Sequence, residues 1–143
     1  MRKKILFCGL MFSLLLNAAE IIELTNSEFT DSISNKSSLL RVQLLESFVN
    51  KTVLGEGVVE SVESVDAKEG YNSKKIVTIR HKAANSNLLI IFRLFSSNDL
   101  SSIELVGKRV QFKGKLVLTV PLDSTRTIFA CDILLEELSI YAD

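Results

Sequence analysis

The chain has 143 residues, and its 17 basic and 17 acidic side chains cancel to a formal charge of zero. Hydrophobic residues make up 47%, with six glycines and one proline, so a packed core is expected and a disordered or fibrous chain is excluded. The even charge also argues against a basic nucleic-acid binder, whose affinity comes largely from phosphate contacts.

The N-terminus departs from this average. Arg2, Lys3 and Lys4 precede an apolar run over residues 5–16, and Asn17-Ala18-Ala19-Glu20 ends it with small residues. That order is expected of a secretory signal peptide over residues 1–19. The run is about 12 residues, short of the roughly 20 needed to span a bilayer. Cleavage after Ala19 is preferred, although Asn17 then stands where a small residue is favoured. An uncleaved anchor is the alternative. Cys8 suggests a lipoprotein, but Phe7 precedes it where a small residue is required. The expected address is periplasmic or secreted, with no transmembrane segment in the mature chain. Removing Arg2, Lys3 and Lys4 from the 17 basic residues leaves 14 against 17 acidic, a net charge near −3. Cys131 then stands alone, so an internal disulfide is excluded.

Residues 20–50 read as a helical segment. Residues 20–24 form a short strand or an ordered lead-in. Thr25 and Glu28 have capping-box spacing, and Phe29 and Ile33 share a helical face. Residues 34–38 are polar and interrupt the pattern. A helix of about 11 residues follows over 39–49, with Leu40, Leu44, Leu45, Phe48 and Val49 on its apolar stripe.

From Thr52 the apolar period becomes two. The first long strand is expected over 53–65, with Gly55 and Gly57 marking a bend or bulge. Residues 66–73 form a loop. A second strand over 75–82 turns Val77 and Ile79 one way and Thr78, Arg80 and Lys82 the other. A turn over 83–87 leads to a third strand over 88–95, with Ile90, Phe92 and Leu94 on one face. Ser97-Asn98-Asp99 caps a short helix anchored by Leu100, Ile103 and Leu105 and ended by Gly107. The fourth strand, 108–120, places Val110, Phe112, Leu116 and Leu118 inward and bends at Gly114. After a turn over 121–125, a fifth strand runs over 126–136, and residues 139–143 form a tail. Cys131 shares parity with Phe129 and Ile133 and reads as a small buried hydrophobe.

Three strands, a short helix and two further strands, the first strand long and glycine-bent, resemble the OB-fold. Residues 105–116, with Gly107-Lys108 before an alternating strand and a central Gly114, are similar to the helix exit and fourth strand of small OB domains. Residues 52–59 look like the matching first strand. In broad pattern the chain resembles the tRNA-anticodon-binding-like OB group. The expected fold class is mainly β: a five-stranded OB-like Greek-key barrel over 51–138, preceded by the helical segment at 20–50. Phe92, Phe112 and Phe129 are expected to meet in its interior.

The resemblance implies a ligand face on the outer side of the second and third long strands. Thr78, Arg80, Lys82, Leu89, Ile91 and Arg93 fall on that face, with Tyr71 and Arg126 in the flanking loops. The competing expectation is a solvated face partly covered by the N-terminal helix. Base stacking needs exposed aromatic platforms, and only Tyr71 qualifies, which again argues against nucleic acid. His81 is the sole histidine and is expected to be exposed at a strand end. No Gly-x-Ser-x-Gly elbow is present. One His and one Cys do not make a zinc site, and Glu60, Glu63, Asp66 and Glu69 lack calcium-loop spacing. The expectation is therefore no catalytic residue, no metal and no cofactor. The partner is expected to be an envelope protein, peptide or glycan. A polyanion binder using Arg80, Lys82, Arg93 and Arg126 is the runner-up, and the oligomeric state is left open.

Overall fold

The structure, a computed structural model, describes residues 21–66, 68, 71–100 and 104–141. The expected signal peptide and the last two residues of the expected tail lie outside the described residues. The described elements are β1 (Ile21–Glu23), α1 (Ser27–Ser34), α2 (Ser38–Glu46), β2 (Thr52–Ser64), β3 (Lys75–Lys82), β4 (Leu89–Ser96), β5 (Arg109–Pro121) and β6 (Ile128–Ile140). No described helix is long and apolar enough to cross a membrane.

The five long strands close on themselves. Neighbours run β2, β3, β4, β6, β5, and β5 returns to pair with the first half of β2. All contacts are antiparallel except β4 with β6, which is parallel. β3 pairs with β2 only from Val59 to Ser64, which leaves the start of β2 uncovered on that side. β1 fills this gap, pairing in parallel with Thr52 to Leu54. The expected lead-in is thus a strand, and it extends the barrel wall.

Alternation decides what is inside. Phe92, Phe112 and Phe129 are all buried in one core with Val53, Ile79, Leu94 and Ile133. The Phe92 and Phe112 rings lie 5.2 Å apart in a tilted arrangement. Gly55 and Gly57 do not sit at the bulge of β2, which falls between Val59 and Ser61. They make room instead: a Cβ added at Gly55 would run into the tip of the Phe112 ring, and one at Gly57 would meet the Ile79 Cγ2. Gly114, expected at a bend, lies at a register shift of β5 against β6.

Leu118 corrects the expected inward set of β5. A second shift between Leu116 and Leu118 inverts the alternation, because one extra residue moves every later side chain to the opposite face. Thr119 is therefore buried, and Leu118 is 43% exposed on the outside.

The helices close one opening. The α1 cap is Asn26, whose side chain accepts from the Glu28 and Phe29 amides. Thr25 is not the cap; its hydroxyl donates to Glu23 and accepts from the Glu56 amide. Ser37 caps α2. Ile33 and Leu45 are fully buried, while Leu40, expected on the apolar stripe, is exposed. The Arg41 guanidinium ties this cap to the β5–β6 turn, donating to the carbonyls of Arg126 at 2.9 Å and Thr125 at 3.2 Å. Residues 97–100 and 104–108 lie at the opposite opening, where Leu105 is buried. The helix expected here does not appear at residues 97–100 or 104–108, and 101–103 lie outside the described residues. β6 runs on to Ile140, and Tyr141 donates to Glu56 at 2.8 Å, so the start of the expected tail belongs to the wall.

Gly55→Ala is expected to destabilise the protein by about 1–3 kcal/mol through overpacking against Phe112, measured by urea unfolding. Adding Phe112→Leu should recover part of that loss. A Gly55→Ala protein as stable as the parent would contradict the close approach.

Candidate binding face

Four residues of each strand set the outer surface of β3 and β4. The register aligns Lys82 with Leu89, Arg80 with Ile91, Thr78 with Arg93 and Ile76 with Phe95. Across the parallel junction, Leu89 meets Ile128, Ile91 meets Ala130, Arg93 meets Asp132 and Phe95 meets Leu134. β5 adds Val120 beside Ala130 and the outward-turned Leu118 beside Asp132. Six of the eight expected residues, Thr78, Arg80, Lys82, Leu89, Ile91 and Arg93, thus share one face. Ala130 is the smallest side chain in its row and lies between Ile91 and Val120. The centre of the face is a shallow apolar strip, with cations along the β3 side.

Tyr71 and Arg126 lie at opposite ends. Tyr71, in the β2–β3 loop with a positive φ of 57°, packs edge-on against Phe95 with centroids 4.9 Å apart. Its hydroxyl donates to Asp132 Oδ2 at 3.4 Å. Arg126 has a φ of 55° in the β5–β6 turn, and its guanidinium donates to the Ser124 carbonyl. Asp123 organises that turn. Its carboxylate accepts from the Thr127 and Ile128 amides and from the hydroxyls of Thr125 and Thr127. These hydrogen bonds, those of the hydroxyls foremost, hold the Asp123 carboxyl well below the usual carboxylate range.

Two of the three expected face cations already have carboxylate partners. Arg93 grips Asp132 with two bonds, Nε to Oδ1 and Nη2 to Oδ2, each 2.8 Å. The Asp132 side chain is 3% exposed. The hydrogen bond to Asp132 raises the Arg93 guanidinium above its ordinary range, and Arg93 also lies 5.3 Å from the Phe95 ring centroid. Desolvation, then the Asp132 charge, raises the Tyr71 phenol above 10.0. Arg80 pairs with Glu60 at 3.1 Å, both about half exposed. Lys82 donates to the Ser86 carbonyl at 2.8 Å. The expected basic patch is largely neutralised, so the apolar strip dominates the face. The N-terminal helices make their polar contacts to the turns beyond the strip, at Ser86, Thr125 and Arg126.

Sequence reasoning missed Phe95, Asp132 and Leu118. Phe95 shares the odd parity of Ile91 and Arg93. Asp132 is the one charge in the apolar run 128–135, a signal that it needed a partner. Nothing in the local sequence announced the bulge that turns Leu118 outward.

His81 departs from expectation. It shares the inward parity of Val77 and Ile79 and is half-buried at the end of β3, opposite Ile90. Burial, foremost, lowers its imidazole below 6.5. Cys131 is buried, as expected, with its Sγ 3.6 Å from the Thr119 hydroxyl, and burial pushes its thiol up to about 12. Among the described residues no group of three or more His, Cys, Asp or Glu side chains is placed to hold a metal.

No protein-family model matches the chain, and no curated protein sequence matches it.

The two ion pairs should differ sharply in worth. Arg93→Met leaves a buried carboxylate with Tyr71 alone and is expected to cost about 2 kcal/mol in urea unfolding at pH 7. Arg80→Met removes an exposed pair and should cost at most about 0.5 kcal/mol. Equal losses would refute the assignment of Asp132 as the buried anchor.

Cys131 also sets an alkaline limit. Its folded-state pKa of about 12 lies above the ordinary 9.0. The folded state therefore holds this proton more tightly, and the associated stability is fully present below about pH 9 and lost as pH rises toward 12. Between pH 8 and 10.5 the parent should lose more stability than Cys131→Ala; parallel losses would exclude this source.

Proposed function

We propose that the chain is an exported OB-like binding module that performs no chemistry and takes up a protein, peptide or glycan partner in the cell envelope. The observation that carries this reading is the outer face of β3, β4 and β6. An apolar strip through Leu89, Ile91, Ala130, Ile128 and Leu118 runs between the β2–β3 and β5–β6 loops. A Greek-key barrel whose second and third strands and adjoining loops carry the ligand site is how OB domains bind. The closed barrel and its strand order support that family-level reading. The signal-peptide pattern of residues 1–19 supports export.

The chemistry of the face favours an apolar protein or peptide segment on the strip. Arg93 and Arg80 are committed to Asp132 and Glu60, which weakens the polyanion alternative. Among the described residues, Tyr71, 45% exposed, is the one exposed aromatic platform beside the face. For the absence of chemistry, support comes from the half-buried His81 and from Cys131, whose thiol is held far from the thiolate form.

A photo-crosslinking residue at Leu118 tests the reading. It should capture an envelope partner that the same residue at Gln111, exposed beside Glu56 and Ser139 on the β2–β5 side of the wall, does not. Ile91→Glu should abolish capture, and raising salt from about 50 to 500 mM should not. Capture that is lost with salt and with Lys82→Glu, yet survives Ile91→Glu, would replace this reading with the polyanion one.

A further inference from the structure

A polar cleft lies between the C-terminal half of α1 and the β3–β4 turn, off the end of the apolar strip. It consists of two adjoining openings of about 190 and 230 Å³, both lined by Ser34 and Ser86. Asp31, Asn35 and Asn85 complete one; Arg41, Asn87 and Thr127 help to line the other.

The floor is fixed. The Ser34 hydroxyl donates to the Thr30 carbonyl at 2.7 Å, so its lone pairs face Ser86, 2.8 Å away. The Ser86 hydroxyl therefore donates to Ser34 and accepts from the Leu88 amide at 3.1 Å. This relay joins the helix to the turn across the cleft. The walls are not committed. Among the described residues, the side-chain amides of Asn35, Asn85 and Asn87 make no hydrogen bond within the chain. Each amide offers two donors and an acceptor oxygen.

The charges in the cleft point away from an ionic ligand. Asp31 lines one opening and Arg41 the other, so the cleft as a whole carries no net charge. The Arg41 guanidinium is turned toward the backbone carbonyls of Lys36 at 2.6 Å, Arg126 at 2.9 Å and Thr125 at 3.2 Å. It has no free fork with which to grip a carboxylate or phosphate. A ligand matched to free amides, without net charge, is one dense in hydroxyl groups. We propose that this cleft is a second binding site, separate from the outer face, and that it takes a neutral oligosaccharide. Each opening is smaller than the roughly 300 Å³ at which pockets for drug-sized ligands begin, which suits one or two sugar units apiece.

The test is an NMR titration of the ¹⁵N-labelled protein with maltotetraose, cellotetraose and chitotetraose. A ligand concentration of about 10 mM sits tenfold above a Kd of about 1 mM. At least one of the three should shift the side-chain amide signals of Asn35, Asn85 and Asn87. The shifts should persist when salt rises from about 50 to 500 mM. Asn85→Ala and Asn87→Ala should each weaken binding about fivefold, the loss of one hydrogen bond. Ile91→Glu, on the outer face, should leave it unchanged. The proposal is overturned if none of the three sugars moves those signals, or if binding survives the Asn85→Ala/Asn87→Ala double variant. It is also overturned if only dextran sulfate shifts them and salt removes the effect.

Discussion

Closure of the barrel through β2 and β5 is the constraint on which the other features rest. Thr52 to Val58 run antiparallel to Arg109 to Lys115, and the two strands meet only because Gly55 leaves room for the Phe112 ring. The ring then reaches Phe92 on the far wall, 5.2 Å away. An interior of this kind is close-packed, and side chains of the wrong volume are felt at once. Closure also sets the curvature that brings β4 beside β6, and this parallel junction places Arg93 opposite Asp132.

The Arg93–Asp132 pair shows how the barrel tolerates a charge in an apolar wall. A carboxylate this buried is costly unless its oxygens are matched. Asp132 receives a two-pronged guanidinium and a tyrosine hydroxyl. One consequence is that Arg93 is consumed by structure. A second is that the β2–β3 loop, through Tyr71, is docked on the same carboxylate. The cations that mark this face in the sequence therefore act mainly within the chain, and its exposed chemistry is apolar.

The N-terminal segment has a comparable division of labour. Ile33 and Leu45 supply buried apolar surface at one barrel opening. Arg41 and the Ser34–Ser86 relay supply direction, tying the helices to two turns through hydrogen bonds with backbone and hydroxyl partners. Such bonds fix geometry more than they add stability. Here they hold the helices at the turns, leaving the outer strip outside their polar contacts.

The strands, their order along the chain and the buried phenylalanines were legible in the sequence, because strict alternation over eight or more residues separates inside from outside without further information. The β3 bounds, the buried Cys131 and the shared face of Thr78, Arg80, Lys82, Leu89, Ile91 and Arg93 follow from that parity alone. What tertiary structure decided was everything that depends on a partner far along the chain. The bulge beyond Leu116 turned Leu118 outward, His81 turned inward and lost part of its exposure, and Asp132 and Glu60 neutralised the arginines that looked free. Alternation records which side of its own strand a residue faces; it carries no information about what the neighbouring strand places opposite, and that is where the character of this surface was set.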